Sequence, residues 1–179
     1  TNAEVSTSIP VDKSKFEDKL HRSERRKLEK AKKARMTFKE FHQDDLAEVY
    51  SFIEKCRHEK SYTLSLPLAD LARTAKTFKN DYKLFGTFHK KQMVAASIAI
   101  QVKNDVLYDF YHDHESSFDH LSPVVFLVDG MYRYCHKKKI KLLDLGTSAL
   151  EATPNFGLLN FKMKLGAVPN VKLTFEKVL

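Results

Sequence analysis

Hydrophobic and polar positions change period along this chain, and each change marks an element. Residues 82–89, 92–102 and 105–112 alternate at period two, which predicts three successive strands. A helix opens at Ser122-Pro123, with the proline suited to the first helical turn. An apolar strand follows at residues 141–145 and runs into Gly146-Thr147-Ser148. The spacing then predicts a helix over 155–165 that stops at Gly166, and a last strand over 171–177. Upstream, residues 36–41 read as a strand and Gln43-Asp44-Asp45 as a helix start, followed by Leu46, Val49, Tyr50, Ile53 and Cys56 at helical spacing. A second helix is expected over 67–78. The fold class is mixed α/β: strand, two helices and a three-strand meander, then helix, strand, helix, strand. The helix from Ser122 makes the strands at 105–112 and 141–145 parallel neighbours, because a crossover returns the chain in the same direction. Their carboxyl ends are expected to splay apart.

Strict alternation on the strand at 105–112 puts Val106, Tyr108, Phe110 and His112 on one face and Leu107, Asp109, Tyr111 and Asp113 on the other. Asp109 then lies mid-strand in a central strand. A buried carboxylate needs a partner, so it marks a structural network or a site, the network being commoner. On the strand at 92–102, Ala95, Ser97 and Ala99 share a face with room for a close helix or a ligand chain, and helix packing is the usual cause.

Charge changes the picture at one place. Of a net charge of +8, the stretch from Lys13 to Arg35 carries +7, with eleven Lys or Arg against four acids. It has strong helix formers, and Phe16, Leu20, Leu28 and Ala31 are its only stripe of apolar positions. Residues 1–35 therefore read as a tail and basic connecting helix, and 36–179 as one domain. The outer residues Arg22, Arg25 and Arg26 fit an anionic partner, against the plainer reading of a solvated connector. Cys56 and Cys135 both lie in helical patterns, which argues against a disulfide framework and for a cytoplasmic, reducing setting. The longest apolar run, residues 124–128, is far short of the ~20 residues a spanning helix needs. His112, Asp113, His114, Glu115, Asp119 and His120 offer metal-ligand types, but their spacing matches no zinc pattern and no metal is expected. Cys135-His136 are adjacent on a helix and point about 100° apart, so they form no nucleophilic dyad.

The order of elements from about residue 36 onward, with Leu142-Leu143-Asp144-Leu145-Gly146-Thr147-Ser148 and Pro154-Asn155-Phe156-Gly157-Leu158-Leu159-Asn160-Phe161-Lys162, resembles the GNAT acyltransferase fold, and more closely its Fem-type (FemAB-like) branch. That resemblance implies transfer of an acyl or aminoacyl group to an amine, with cell-envelope biosynthesis as the setting. The rival readings are a non-catalytic half-domain that packs on a sister domain or partner, and a conventional acetyl-CoA enzyme. GNAT enzymes wrap the pyrophosphate of coenzyme A with a glycine-rich loop before the helix at Ser122. Here residues 112–121 contain no glycine and several acids, so acetyl-CoA is not the expected donor, and Ser122 remains only as a cap for the helix. Aminoacyl-tRNA is the donor the Fem branch implies, and tRNA or a nucleotide-linked precursor is the partner to place on the basic helix. Phe161-Lys162 resembles the Phe-Lys pair of Fem-type transferases, whose lysine stabilises charge near the ester. The bland alternative is an exposed helix lysine at the edge of a Phe156, Leu159 and Met163 stripe. The expected catalytic set is Lys162, Asp144 and Tyr111, with Asp109, Thr147, Ser148, Asn155 and Phe161 contacting substrate. Acceptor contacts are expected in the loop at 59–65. Fem-type proteins carry two copies of the fold, and the chain opens Thr1-Asn2-Ala3 without methionine, so the C-terminal half of a longer protein is expected.

Overall fold

A computed structural model describes residues 2–150 and 153–175. Its strands are β1 (Asn2–Pro10), β2 (Thr37–Phe41), β3 (Tyr82–His89), β4 (Gln92–Lys103), β5 (Val106–His114), β6 (Leu142–Thr147), the two-residue pair β7 (Ala149–Leu150) and β8 (Thr153–Pro154), and β9 (Val168–Thr174). Its helices are α1 (Phe16–Lys19), α2 (Arg22–Lys33), α3 (Leu46–His58), α4 (Leu68–Thr77), α5 (Pro123–Lys138) and α6 (Phe156–Lys164). A seven-stranded sheet runs in the order β2-β3-β4-β5-β6-β1-β9. Every adjacent pair is antiparallel except β5 and β6, which are parallel as expected.

The two sheet faces carry separate cores. Val49, Tyr50 and Ile53 of α3 and Leu71 of α4 pack with Leu84, Ile98 and Tyr111 on one side. On the other, Val128, Met131 and Cys135 of α5 meet Phe85, Ala95, Ala99, Leu107 and Leu143. The alanines let α5 approach closely, and Gly130 of α5 lies where any Cβ would strike the Phe38 ring. The small-residue face of β4 is thus a helix seat.

The N-terminal stretch is not a tail. β1 is an interior strand that pairs with β6 along one edge and β9 along the other. Phe16, Leu20, Leu28 and Ala31 are all buried in the α5-side core, so α1 and α2 belong to the domain and the boundary expected at residue 35 has no counterpart in the fold. Burying side chains such as Phe16 and Leu28 is worth ~1.5–3 kcal/mol each, enough to seat a helix whose outer face is almost wholly charged. The last strand begins at Val168 rather than at residue 171, and residues 176–177 of the expected strand lie outside the described residues.

Candidate active site

β5 and β6 pair only from Val106↔Leu142 to Tyr108↔Asp144, and then separate. A cavity of about 600 Å³ fills the fork, bordered by the two strand ends, the first turn of α5, the inner face of α6, and Arg57 and Lys60 from the end of α3. An open α/β sheet places ligands beyond the carboxyl ends of strands at such a divergence.

A bulge decides which β5 side chains meet there. Ala99 pairs with Asp109 but Ile98 pairs with Tyr111, so Phe110 is the extra residue. Residues three apart in a regular strand face opposite sides, and the bulge cancels one step of that alternation. Asp109 and His112 therefore share a face, correcting the strict alternation expected for this strand. His112 Nδ1 lies 2.6 Å from Asp109 Oδ2, and Ser97 Oγ donates to Asp109 Oδ1 at 2.6 Å. Asp109 is buried and His112 borders the cavity. The imidazolium beside it and the Ser97 bond hold the Asp109 carboxyl below its ordinary range against the effect of burial. The same carboxylate raises the proton affinity of His112. With Nδ1–H committed to Asp109, Nε2 is the nitrogen left for a ligand. Sequence reasoning singled out Asp109 and passed over His112 as a site residue, because alternation put the two on opposite faces.

Lys162 is buried, 4% exposed, and not an edge lysine on an apolar stripe. That stripe is itself reversed, since Phe156 and Met163 are exposed. Lys162 Nζ donates to the carbonyls of Leu145 (2.7 Å), Thr147 (2.8 Å) and Gly146 (3.3 Å). An ammonium has three donors and no acceptor, so these contacts use its full capacity. Burial lowers its pKa to about 8, while the charges of Asp109 and Asp144 favour the protonated form.

The other expected site residues divide. Phe161, Thr147, Asn155 and Ser122 border the cavity. Asn155 also caps α6, its Oδ1 accepting from Leu158 N at 3.0 Å. Ser122 has a left-handed backbone (φ 56°) and makes no side-chain cap, contrary to expectation, while Pro123 opens α5 as expected. Tyr111 is on the α3 face, where its hydroxyl meets Ser65 Oγ at 2.6 Å and accepts from Leu66 N at 3.0 Å. It does not border the cavity. Asp144 accepts from Gly146 N at 2.8 Å and borders a separate shallow groove with Ser8 and Asn170. Ser148 is fully buried, and its hydroxyl has no hydrogen-bond partner among the described residues.

The acids at the end of β5 and in the loop after it are paired within the protein rather than merely hydrated. Asp113 is bonded to Lys60 with Arg57 Nε 3.8 Å away, Glu115 to Lys55 at 2.7 Å, and Asp119 to His114 at 2.6 Å. What disfavours a diphosphate is the spent backbone: the amides of His114, Glu115, Phe118 and Ser122 all bond within the protein, and Pro123 has none. Among the described residues no group of three or more metal-binding side chains converges. On α2, Arg22, Arg25 and Arg26 line an exposed depression with Glu29, Lys30 and Lys33, while Lys27 of the same helix borders the cavity.

A mixed sheet with a forked parallel pair and a cavity at the fork is the framework of an acyltransferase of the GNAT class. Residues 17–162 match the family described as an acetyltransferase (GNAT) domain, and the chain belongs to that family. No curated protein matches it. Among solved structures it is similar to FemX (13% identity, TM-score 0.76), covering 92% of this chain and 59% of that one. It is also similar to L-PGS from Bacillus licheniformis (11%, 0.66), covering 96% and 59%. An aminoglycoside acetyltransferase from an uncultured soil metagenomic sample, in complex with trehalose, is similar over 80% of this chain and 96% of its own (12%, 0.57). At these identities the likeness is one of fold, and the chain spans 59% of the FemX and L-PGS chains. No helix among the described residues is long and apolar enough to cross a membrane.

Proposed function

We propose that the cavity between β5 and β6 transfers an acyl or aminoacyl group to an amine, with His112 as the group that takes the amine's proton. The observation that carries this reading is the Asp109–His112 pair, buried on one side and open to the cavity on the other. Aminolysis of an activated acyl carbon forms the C–N bond, expels the donor's leaving group and releases one proton. An imidazole oriented by a carboxylate suits that last step. The sister roles expected from sequence for Tyr111 and Asp144 are not part of this proposal, because both are engaged outside the cavity.

The donor in this reading is an aminoacyl ester, as on tRNA, in preference to acetyl-CoA, because the segment before α5 has no glycine and the amides of His114, Glu115, Phe118 and Ser122 are already bonded. Arg22, Arg25 and Arg26 are the residues to which such a polyanion would be attracted. A cytoplasmic setting, with cell-envelope biosynthesis as the context that the Fem-type resemblance implies, is part of the same proposal, and two buried free cysteines are in keeping with it. The half-domain reading draws on a different observation. Phe156 and Met163 of α6 and Val171 and Leu173 of β9 are exposed, an apolar face suited to a sister domain.

The test is direct. Wild-type protein is incubated with acetyl-CoA or with alanyl-tRNA and a panel of primary amines, and amide formation is followed by mass spectrometry. Amide from the tRNA donor, lost in His112→Gln, supports the reading. Equal product from the variant removes His112 from the chemistry, and acetyl-CoA turnover without tRNA turnover reverses the donor assignment.

A further inference from the structure

The contacts of Lys162 and the ending of the β5–β6 ladder occur at the same residues. In a strand, alternate carbonyls point to the same neighbour. β6 loses β5 after Asp144, which leaves the carbonyls of Leu145 and Thr147 facing the fork with no ladder donor. Those two carbonyls receive the shortest bonds from Lys162, at 2.7 and 2.8 Å. The carbonyl of Gly146 between them points toward β1, where Thr7 Oγ1 also donates to it at 3.3 Å. One ammonium thus stands in for the N–H groups of the departed strand. Gly146 (φ +71°) completes the turn, and a Cβ there would lie 3.1 Å from the Tyr108 ring.

We propose that Lys162 is a positioning residue: it keeps the end of β6 parted from β5, and its charge holds His112 ready to receive a proton, without itself touching substrate. This deepens, and rests on, the reading of His112 as the proton acceptor. A lysine whose three N–H bonds end on carbonyls has no donor left for an ester oxygen. Its charge still acts across the cavity. The charged groups around His112 are Asp109, bonded to it on β5; Lys162 on α6; Arg57 on α3, whose guanidinium donates to the His112 carbonyl at 3.3 Å; and Lys27 of α2, which borders the same cavity. Asp113 and His114 follow on β5, where Asp113 is paired with His114 and with Lys60 from just beyond α3. Asp109 favours the imidazolium, while Lys162 and Arg57 oppose it. Asp109 orients the ring and on balance raises its proton affinity, and the two cations reduce that rise.

The experiment follows the His112 ring by nitrogen-edited nuclear magnetic resonance as pH is raised, in wild type, Lys162→Met and Lys162→Arg. Loss of the positive charge in Lys162→Met is expected to raise the proton affinity of His112 about tenfold, a midpoint about one pH unit higher. Lys162→Arg, which keeps the charge, is expected to leave it near the wild-type midpoint. An unchanged or lowered midpoint in a folded Lys162→Met protein overturns the proposal. If that variant does not fold, the wild type decides alone. The Lys162 side chain should titrate near pH 8, where burial has placed it, and the His112 resonances should move in step. A His112 signal indifferent to that titration also overturns it. No substrate enters these measurements. Coupling without turnover counts against the acyl-transfer reading alone, and turnover without coupling counts against the role given to Lys162.

Discussion

The two strand ends that border the cavity are finished in opposite ways. β5 ends in side chains: the Asp109–His112 pair and the Asp113–His114 pair. β6 ends in backbone, three carbonyls gathered by one lysine from α6. Chemistry carried by side chains can be adjusted one residue at a time. Geometry carried by backbone tolerates almost no change, because main-chain oxygens cannot be substituted and a lysine of the right reach must supply the donors. The β5 end is accordingly where reactivity is set, and the β6 end is where shape is set.

The largest expected effect tests the β5 half of that contrast. His112→Gln should reduce acyl transfer by roughly 10²–10⁴-fold with little change in KM, the range for loss of a general base. Asp109→Asn should reduce it too, because an amide in place of the carboxylate no longer fixes Nδ1–H. A steady-state assay that finds either variant at wild-type rate would break the comparison.

Next in size is a shape change near the other end. Gly166 terminates α6 with φ +86°, and a Cβ there would lie 2.7 Å from Lys19 Cβ and 2.9 Å from the Lys19 carbonyl. Gly166→Ala should therefore destabilise by ~1–3 kcal/mol from backbone strain alone, read as a lower urea midpoint. Stability equal to wild type would mean that α6 shifts freely, against its role as the carrier of Lys162.

The pH dependence of stability separates the two ends by sign. His112 has a raised pKa in the fold, so its contribution is complete below its ordinary value of 6.5 and is lost as pH rises through the folded value. Asp109 is lowered, so its contribution holds above 3.8 and is lost as pH falls through its folded value. Lys162 runs the other way from His112. Its folded pKa of about 8 is below the 10.5 of the unfolded chain, so the unfolded state holds more protons between those values and this group's contribution to stability improves as pH rises through that window. Denaturant titrations of wild type and Asp109→Asn across this range should differ most in the interval where Asp109 is ionised and His112 protonated. A difference independent of pH would remove the ion pair from the account.

The smallest effect is expected on α2. Reversing Arg22, Arg25 and Arg26 to Glu should change unfolding free energy by ~0.5 kcal/mol or less per site, since all three are exposed, and should abolish any salt-sensitive binding of tRNA. Binding that survives the reversal would return α2 to a solvated cover for α5.

Much of the architecture was legible because its signals are local. Period-two runs, the Ser122-Pro123 start and the Gly166 stop are written in adjacent residues, and the parallel β5–β6 pair follows from the crossover rule. The losses were of two kinds. β1 has only Val5 and Ile9 as strong apolar positions in a Ser/Thr-rich run, and its partners lie more than a hundred residues away, so no short window shows it as a strand. The Asp109–His112 pair was hidden by a bulge, which turns alternation into a wrong prediction from Phe110 onward. That one step also misplaced Tyr111, assigned to the cavity and found against Ser65. Lys162 was found through resemblance to the Phe-Lys pair, but helical periodicity read it as exposed; only the position of β6 beneath α6 explains its burial.

The interior position of β1 also bears on how the chain reaches this state. Thr7 bonds to Gly146 across 139 residues, and Asn170 to Ser8 across 162. Contacts of such separation close large loops before they return any stabilisation, and folding rates fall as the mean separation rises. During synthesis β1 is made before the other strands of this sheet, yet neither of its partners exists until residues 142–174 have been made. The earliest strand of this sheet to be made is thus the last to be seated, and until then the edge of β6 that it covers stays unpaired. A chaperone that holds residues 2–10 should delay completion of the sheet while leaving the β2–β5 meander free to form.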